Sequence, residues 1–414
     1  MGKYYISQYC QVLEKGEQSI ICHCGNGLYI KMPSICWKTI EKYIGDYSID
    51  DICEAAADEE DKKYFQQLFE ALINRGILVK DNAKIYKAID IIITNRCNLK
   101  CIHCCADAQG VAGCDKLSTE DIFRIIDKVV KMNPKSIVLN GGEPMLRKDF
   151  FVIAKYLKEN YSGHIGLMTN GTLISEKNID ELVTYFETYD ISLDGYDEET
   201  CSKIRGKGIF DRVMYSIKLL INRGVNPSKI ALSMVETLYT QGKTDKFLEL
   251  NKELGTSPVL RDFSPLGRGK TNQESLELKE DIDELILHSF KEDKRCKEEK
   301  HLMCQNCLAG TGKLAINHEG DIFPCALLES AKYCFGNALE IDDLAEYFIS
   351  DKYKESLGYK NFKKIVPMYR EGCKECNVRA FCVYCLADFE MHLDSEYFGK
   401  VCEMKKVSLQ HIWE

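Results

Sequence analysis

Ile91-Ile92-Ile93-Thr94-Asn95-Arg96-Cys97-Asn98-Leu99-Lys100-Cys101-Ile102-His103-Cys104 opens as a β-prone run and closes as C-x3-C-x2-C. The run reads as a strand, so the three thiols fall on the loop at its C-terminal end, where α/β barrels and open parallel sheets keep their reactive groups. A cubane iron–sulfur cluster ordinarily takes four cysteines. Three leave one iron open to an outside ligand, much as catalytic zinc sites keep one position free. Packed cysteines or zinc are the plainer alternatives, and Cys105 beside Cys104 complicates the count without changing the spacing.

Outward from this loop, between about residues 88 and 270, short β-rich runs alternate with amphipathic stretches. The runs are 91–94, 136–139, 164–169, 190–193, 229–235 and 258–263, with helices expected from near Ser118, Asp149, Glu176, Asp211 and Lys243. Such alternation predicts a parallel sheet with crossover helices, and six βα units suit a partial (β/α)6 barrel. Residues 1–85 read differently. A strand–turn–strand pattern spans Gln11 to Met32 around Gly25-Asn26-Gly27, and helices follow from Pro33-Ser34, after Ser48 and through Tyr64 to Asn74. That layout predicts a small winged helix-turn-helix module. A helical bridge is expected over 271–303. Residues 304–414 are cysteine-dense with weak periodicity, as expected where metal rather than apolar burial organises the backbone.

Composition narrows the class. The chain has 414 residues, 29% charged and 45% apolar with 8 prolines, which argues for a fold throughout. A net charge of −9 gives no general attraction to nucleic acid or anionic membranes. No run of 18 apolar residues and no secretory layout at Met1-Gly2-Lys3-Tyr4-Tyr5 are seen, so a cytoplasmic protein is expected. Twenty-one cysteines in a reducing compartment then call for packing, catalysis or metal ligation rather than disulfides.

Cys97, Cys101 and Cys104 at this spacing resemble the signature of the radical S-adenosylmethionine (SAM) enzymes, in which the residue before the third cysteine is usually aromatic; His103 stands there. Asn140-Gly141-Gly142-Glu143-Pro144 ends the second predicted strand and resembles the family's GGEP segment, which holds the methionyl amine of SAM. Thr169-Asn170-Gly171 ends the third, and Ser192-Leu193-Asp194-Gly195 the fourth, with Ile204-Arg205-Gly206 beyond. The resemblance implies cofactor-binding roles for His103, Gly141, Gly142, Glu143 and Asn170, with Ser192 and Asp194 near the ribose and Arg205 near the carboxylate. It also implies the chemistry: reductive cleavage of SAM to a 5′-deoxyadenosyl radical that abstracts a substrate hydrogen, fed by a donor such as flavodoxin or ferredoxin.

Cys307, Gly320 and Cys325 give C-x12-G-x4-C, followed by Cys373-x2-Cys376-x5-Cys382-x2-Cys385 and then Cys402. This resembles the SPASM extension of radical SAM proteins, which carries two auxiliary [4Fe–4S] clusters, although the usual last gap is x3. The resemblance implies Cys373, Cys376, Cys382 and Cys402 for the distal cluster. For the proximal one it implies Cys307, Cys325, Cys385 and an upstream cysteine, Cys304 ahead of Cys296, with an open three-cysteine site as a third reading. Structural zinc on the two C-x2-C pairs is the alternative. For the remaining cysteines, Cys22, Cys24, Cys105 and Cys114 among them, burial as small hydrophobes is expected.

The N-terminal block resembles the precursor-recognition module of peptide-modifying systems, in which a leader peptide adds as a strand to a sheet edge. The leading expectation is therefore a radical SAM maturase that binds a ribosomally made precursor peptide and forms a thioether cross-link. A carbon–carbon cross-link is the near rival. An anaerobic sulfatase-maturing enzyme is weaker, because that family tends to place Asp after the cysteine equivalent to Cys325, where this chain has Ala326. A non-catalytic iron–sulfur electron-transfer protein is the reading from another class. Glu236, Arg261 and Asp262 are expected at the barrel cavity, in acid–base, rim or ion-pair roles.

Overall fold

The computed structural model describes residues 3–81, 86–277, 303–304, 307–382, 385–393 and 395–414. The chain divides into two compact units, Met1–Lys84 with Glu280–Gly312 and Asn361–Glu414, and Ile85–Lys279 with Lys313–Lys360. Cys296 and residues 278–302 of the expected bridge lie outside the described residues. No helix among them is long and apolar enough to cross a membrane.

In the first unit, β1 (Tyr5–Ile6) pairs with β5 (Leu78–Val79), and β2 (Cys10–Lys15), β3 (Gln18–His23) and β4 (Leu28–Pro33) form an antiparallel sheet in that order. Three helices follow β4: α1 (Ser34–Tyr43), α2 (Ile49–Glu54) and α3 (Glu59–Asn74). Ser48 and Asp51 form a reciprocal capping box on α2, and Asp58 caps α3. Strand alternation splits the sheet between two cores. Ile21 packs with Trp37, Ile40, Leu68, Phe69 and Leu72, whereas Leu13, Ile20, Cys22 and Cys24 pack with Val378, Phe381, Leu409, Ile412 and Trp413. The C-terminal segment thus shares a core with the N-terminal sheet.

The second unit is built on six parallel strands, β6 (Ala88–Ile92), β7 (Ser136–Asn140), β8 (His164–Thr169), β9 (Thr188–Ser192), β10 (Ile230–Val235) and β11 (Ser257–Arg261), each beside the next. The crossovers are α4 (Thr119–Lys131), α5 (Phe150–Asn160), α6 (Ile179–Tyr185), α7 (Glu198–Arg205) with α8 (Ile209–Asn222), and α9 (Thr244–Leu254). One set of alternate strand residues, including Ile89, Ile91, Ile137, Leu139, Ile165, Leu167, Tyr189 and Ile191, is dry, as are the apolar stripes of α4 and α5. The other set holds the polar and partly exposed positions. This is the α/β architecture that the alternation predicted.

Several details differ from expectation. The first strand runs over Ala88–Ile92 rather than 91–94, because Ile93 and Thr94 are buried in the loop that crosses β7. Helix α7, capped by Asp197 on Thr200, was not foreseen; its short apolar stripe is masked by charged residues. The third block also contributes to this sheet. β12 (Lys313–Ile316) pairs parallel with β6, and β13 (Ile322–Phe323) returns antiparallel, making eight strands. Aromatic packing also organises that block: Phe335, Phe348 and Tyr353 pack edge-on at 4.9–6.3 Å. Cys105 and Cys114, expected to be buried, are exposed.

Candidate active site

The loop after β6 gathers Cys97, Cys101 and Cys104 into one cluster with Leu99 and Ala108. The N–H of Leu99 donates to Cys97 Sγ at 3.4 Å, Asn170 Nδ2 reaches the same sulfur at 3.7 Å, and Arg205 Nη1 lies 3.8 Å from Cys101 Sγ. Donors aimed at sulfur are what a thiolate-held cluster uses to stabilise its charge and set its potential. Burial pushes the Cys97 and Cys101 thiols up, while these same donors pull them back.

Gly141 and Gly142 follow β7 and cross the cluster loop: Gly142 N donates to Thr94 O at 2.9 Å and Glu143 N to Arg96 O at 2.8 Å. A Cβ on Gly142 would meet Arg96 O at 2.6 Å, so only glycine permits the crossing. Glu143 is wholly buried and accepts from Thr169 Oγ1, Asn170 N and Met145 N. Burial raises its carboxyl to about 7 against those three donors. Asn170, after β8, ties this strand end to the loop through Asn98 Oδ1 at 2.9 Å and Cys97.

Ser192 closes β9, and Asp194 follows with φ +53°, a left-handed conformation costly to a non-glycine residue. Its carboxylate is dry and meets Arg205 Nη2 at 2.6 Å, His103 Nε2 at 2.8 Å and Val235 N at 2.6 Å. Burial alone would raise its pKa, yet the Arg205 guanidinium and the His103 imidazole hold the carboxyl well below the usual carboxylate range. Asp194 therefore joins the cluster loop to the fourth strand. His103 Nδ1 and Arg205 Nε are buried and bond to nothing among the described residues, which leaves the Arg205 Nε–H as an unused donor for an acceptor-bearing ligand such as the carboxylate of SAM.

Sequence reading missed Gly267-Arg268-Gly269. Arg268 N donates to Cys104 O at 2.9 Å, its Nε to Cys101 O at 3.2 Å and its Nη1 to Ala108 O at 2.7 Å, so one side chain holds the backbone of the whole loop. A Cβ on Gly267 would strike Cys104 O at 2.6 Å. The only signal was two glycines flanking a cation just after the last strand. Of the cavity candidates, Arg261 pairs with Asp190 at 2.7 Å and Glu236 accepts from Thr244 Oγ1 at 3.1 Å.

In the first unit, Cys373, Cys376, Cys382 and Cys402 line one small pocket with Phe389 and Phe398. Cys307 and Cys385 lie within electrostatic reach of each other, and Cys325 stands at the start of the turn after β13 without a side-chain capping hydrogen bond. Cys304 lies in the apolar core against which Cys376 and Cys382 pack. Its N–H donates to Gly27 O at 2.9 Å, its thiol to Leu28 O at 3.5 Å, and it touches Cys22 and Cys24. Among the described residues the thiols are gathered without being drawn into a closed ligand cage.

Comparison with known proteins agrees with this geometry. Residues 91–254 match the Radical SAM superfamily, and residues 304–377 match SPASM, an iron–sulfur cluster-binding domain. The chain is 29% identical to the AdoMet-dependent heme synthase of Methanosarcina barkeri over 328 residues, covering 70% of this chain and 90% of that protein. It is 32% identical to the mycofactocin maturase MftC of Mycolicibacterium smegmatis over 178 residues, 43% of this chain and 44% of that one. Streptococcus suis SuiB, solved with its precursor peptide SuiA, superposes with a TM-score of 0.58 at 17% identity, covering 97% of this chain and all of that one, a likeness of fold.

Proposed function

We propose that this chain, which carries a radical SAM domain followed by a SPASM iron–sulfur domain, is a maturase that cross-links a ribosomally made peptide, with a thioether as the bond formed. The observation that carries the reading is the convergence of Cys97, Cys101 and Cys104 with sulfur-directed donors from Leu99, Asn170 and Arg205 at the mouth of parallel strands. When bound, the cluster and SAM supply hydrogen-atom abstraction from an unactivated carbon. The protein's part is placement. Arg268 fixes the cluster loop, Gly141 and Gly142 let the second strand end cross it, and the Asp194 ion pair ties it to the fourth.

The distal auxiliary cluster would be held by Cys373, Cys376, Cys382 and Cys402, which share a pocket, and the proximal one by Cys307, Cys325 and Cys385. Three clusters in all, a flavodoxin- or ferredoxin-type donor and a cytoplasmic setting complete the proposal. The heme synthase relative spans more of the chain than the maturase relative. What favours a peptide is the three-stranded antiparallel sheet with its helices, which lies outside both matched domains and fits leader capture. Anaerobic reconstitution with SAM and dithionite should yield 5′-deoxyadenosine. Coexpression with a short cysteine-rich precursor peptide that it modifies should change that peptide's mass by the loss of two hydrogens. SAM cleavage with an unchanged peptide would defeat the maturase reading.

A further inference from the structure

Four charged side chains on one face of the parallel sheet take no part in the site at the strand ends. Alternation puts Asp90 of β6 and Asp190 of β9 opposite the dry Ile89, Ile91, Tyr189 and Ile191. Two strands, β7 and β8, separate them. Even so, Asp190 and Arg261 both act electrostatically on Asp90, so the sheet curls far enough for its inner face to bring these groups together. Each carboxylate has one cation: Lys313 Nζ lies 2.9 Å from Asp90 Oδ2, and Arg261 Nη2 lies 2.7 Å from Asp190 Oδ2.

The other oxygen of each is the telling atom. Asp90 Oδ1 and Asp190 Oδ1 are buried and accept no hydrogen bond among the described residues, and Asp90 as a whole is 3% exposed. Buried carboxylate oxygens are ordinarily satisfied, so two on one concave face point to a donor that arrives with a ligand. With Lys313 and Arg261 balancing the two acids, net charge selects little. At the two unbonded oxygens themselves hydrogen-bond direction selects, because each carboxylate oxygen can only accept and so calls for a donor on the ligand.

We propose that Asp90 and Asp190 form a substrate-anchoring subsite that accepts hydrogen bonds from an N–H, O–H or ammonium group of the peptide, with Lys313 and Arg261 as positioning residues. This rests on reading the chain as a peptide maturase. Asp190 precedes Ser192 by two residues on the same face, about 7 Å along the strand, and Arg261 is also within electrostatic reach of Cys105 beside the third cluster cysteine. A peptide residue anchored there leaves its chain neighbours at the strand ends, where the chemistry is placed.

The test uses the full, anaerobically reconstituted chain and a short cysteine-rich precursor peptide as the probe. Asp90→Asn and the more exposed Asp190→Asn are each expected to raise the peptide KM about tenfold or more, with a smaller change in kcat. An unchanged KM beside a lowered thermal midpoint makes the array purely structural and overturns the subsite. A second arm needs no peptide: propylammonium chloride should raise the thermal midpoint of the wild type and of neither variant, while tetramethylammonium, which donates no hydrogen bond, raises none. Equal responses to propylammonium overturn the subsite. If the wild type cleaves SAM and leaves the peptide unchanged, the maturase reading falls and the ammonium arm still decides the subsite.

Discussion

Arg205 meets Asp194 through Nη2 and Oδ2 at 2.6 Å, in a place where their side chains are 8% and 1% exposed. The pair spans the gap between α7 and the end of β9, and Arg205 also leans on Cys101 Sγ. Breaking such a pair from one side strands a buried charge. Arg205→Met should cost about 3–5 kcal/mol, and adding Asp194→Asn should recover part of it. Because the native Asp194 carboxyl is depressed, its stabilisation is complete above the unfolded pKa and lost only as pH falls through the lower, native one. The wild type should therefore show no slope from this group between pH 5 and 8. In Arg205→Met the carboxyl is buried without its cation, its pKa rises, and urea unfolding should show stability falling as pH rises.

Glu143 behaves oppositely. Its carboxyl is raised from 4.5 to about 7, with burial outweighing its three donors. A carboxyl raised in the native state is most favourable below the unfolded pKa. Its contribution declines between pH 4.5 and about 7 and is flat above. The span corresponds to about 3 kcal/mol at 1.36 kcal/mol per unit. Glu143→Gln, which keeps an acceptor for Asn170 N, should remove this slope from the thermal midpoint measured anaerobically between pH 5 and 8. An unaltered slope would assign it to other groups.

Replacing Cys97, Cys101 and Cys104 together by Ala should remove about four iron atoms per chain and all production of 5′-deoxyadenosine. Iron analysis and chromatography of the SAM products check both. Continued cleavage would place the reactive cluster somewhere other than the loop after β6.

The cluster loop, the six parallel strands and their order were legible because each is local: a C-x3-C-x2-C run, a β-branched stretch and a cap lie within a dozen residues of one another. What was not legible is set by register across the sheet. Nothing near Lys313 announces that it will pair with Asp90, since β12 joins β6 across more than two hundred residues. Arg268 likewise reads as a surface cation until β11 returns it to the carbonyls of Cys101 and Cys104. The Gly141-Gly142 pair was legible as a motif. Its steric reason, the backbone of Arg96 at 2.6 Å, required the fold.

Cys304, which the resemblance implied as the upstream ligand of the proximal cluster, sits against Gly27 and the first residue of β4. Its thiol donates to Leu28 O and is packed against Cys22 and Cys24 in an apolar core. Cys304→Ala should therefore leave the iron content of the reconstituted chain unchanged, whereas Cys402→Ala should lower it. A loss of about four iron from Cys304→Ala would return this residue to the proximal cluster.

Leu13 joins the first strands to the last helices. It is fully buried in the cluster that holds Phe381, Ile412 and Trp413, and Arg379 Nη2 donates to the neighbouring Val12 O at 2.6 Å. The same segment brings in Val378 and the pocket cysteines Cys376 and Cys382. Cutting away residues 1–84 would thus expose the core behind the distal cysteines, so a truncated chain that fails on peptide would not isolate leader binding. Leu13→Ala should instead destabilise this unit by about 2–5 kcal/mol. The chain's two tryptophans, Trp37 and Trp413, both lie in the unit, so tryptophan fluorescence in urea reads its unfolding directly. A midpoint equal to the wild type would mean that the shared core contributes little to holding these segments together.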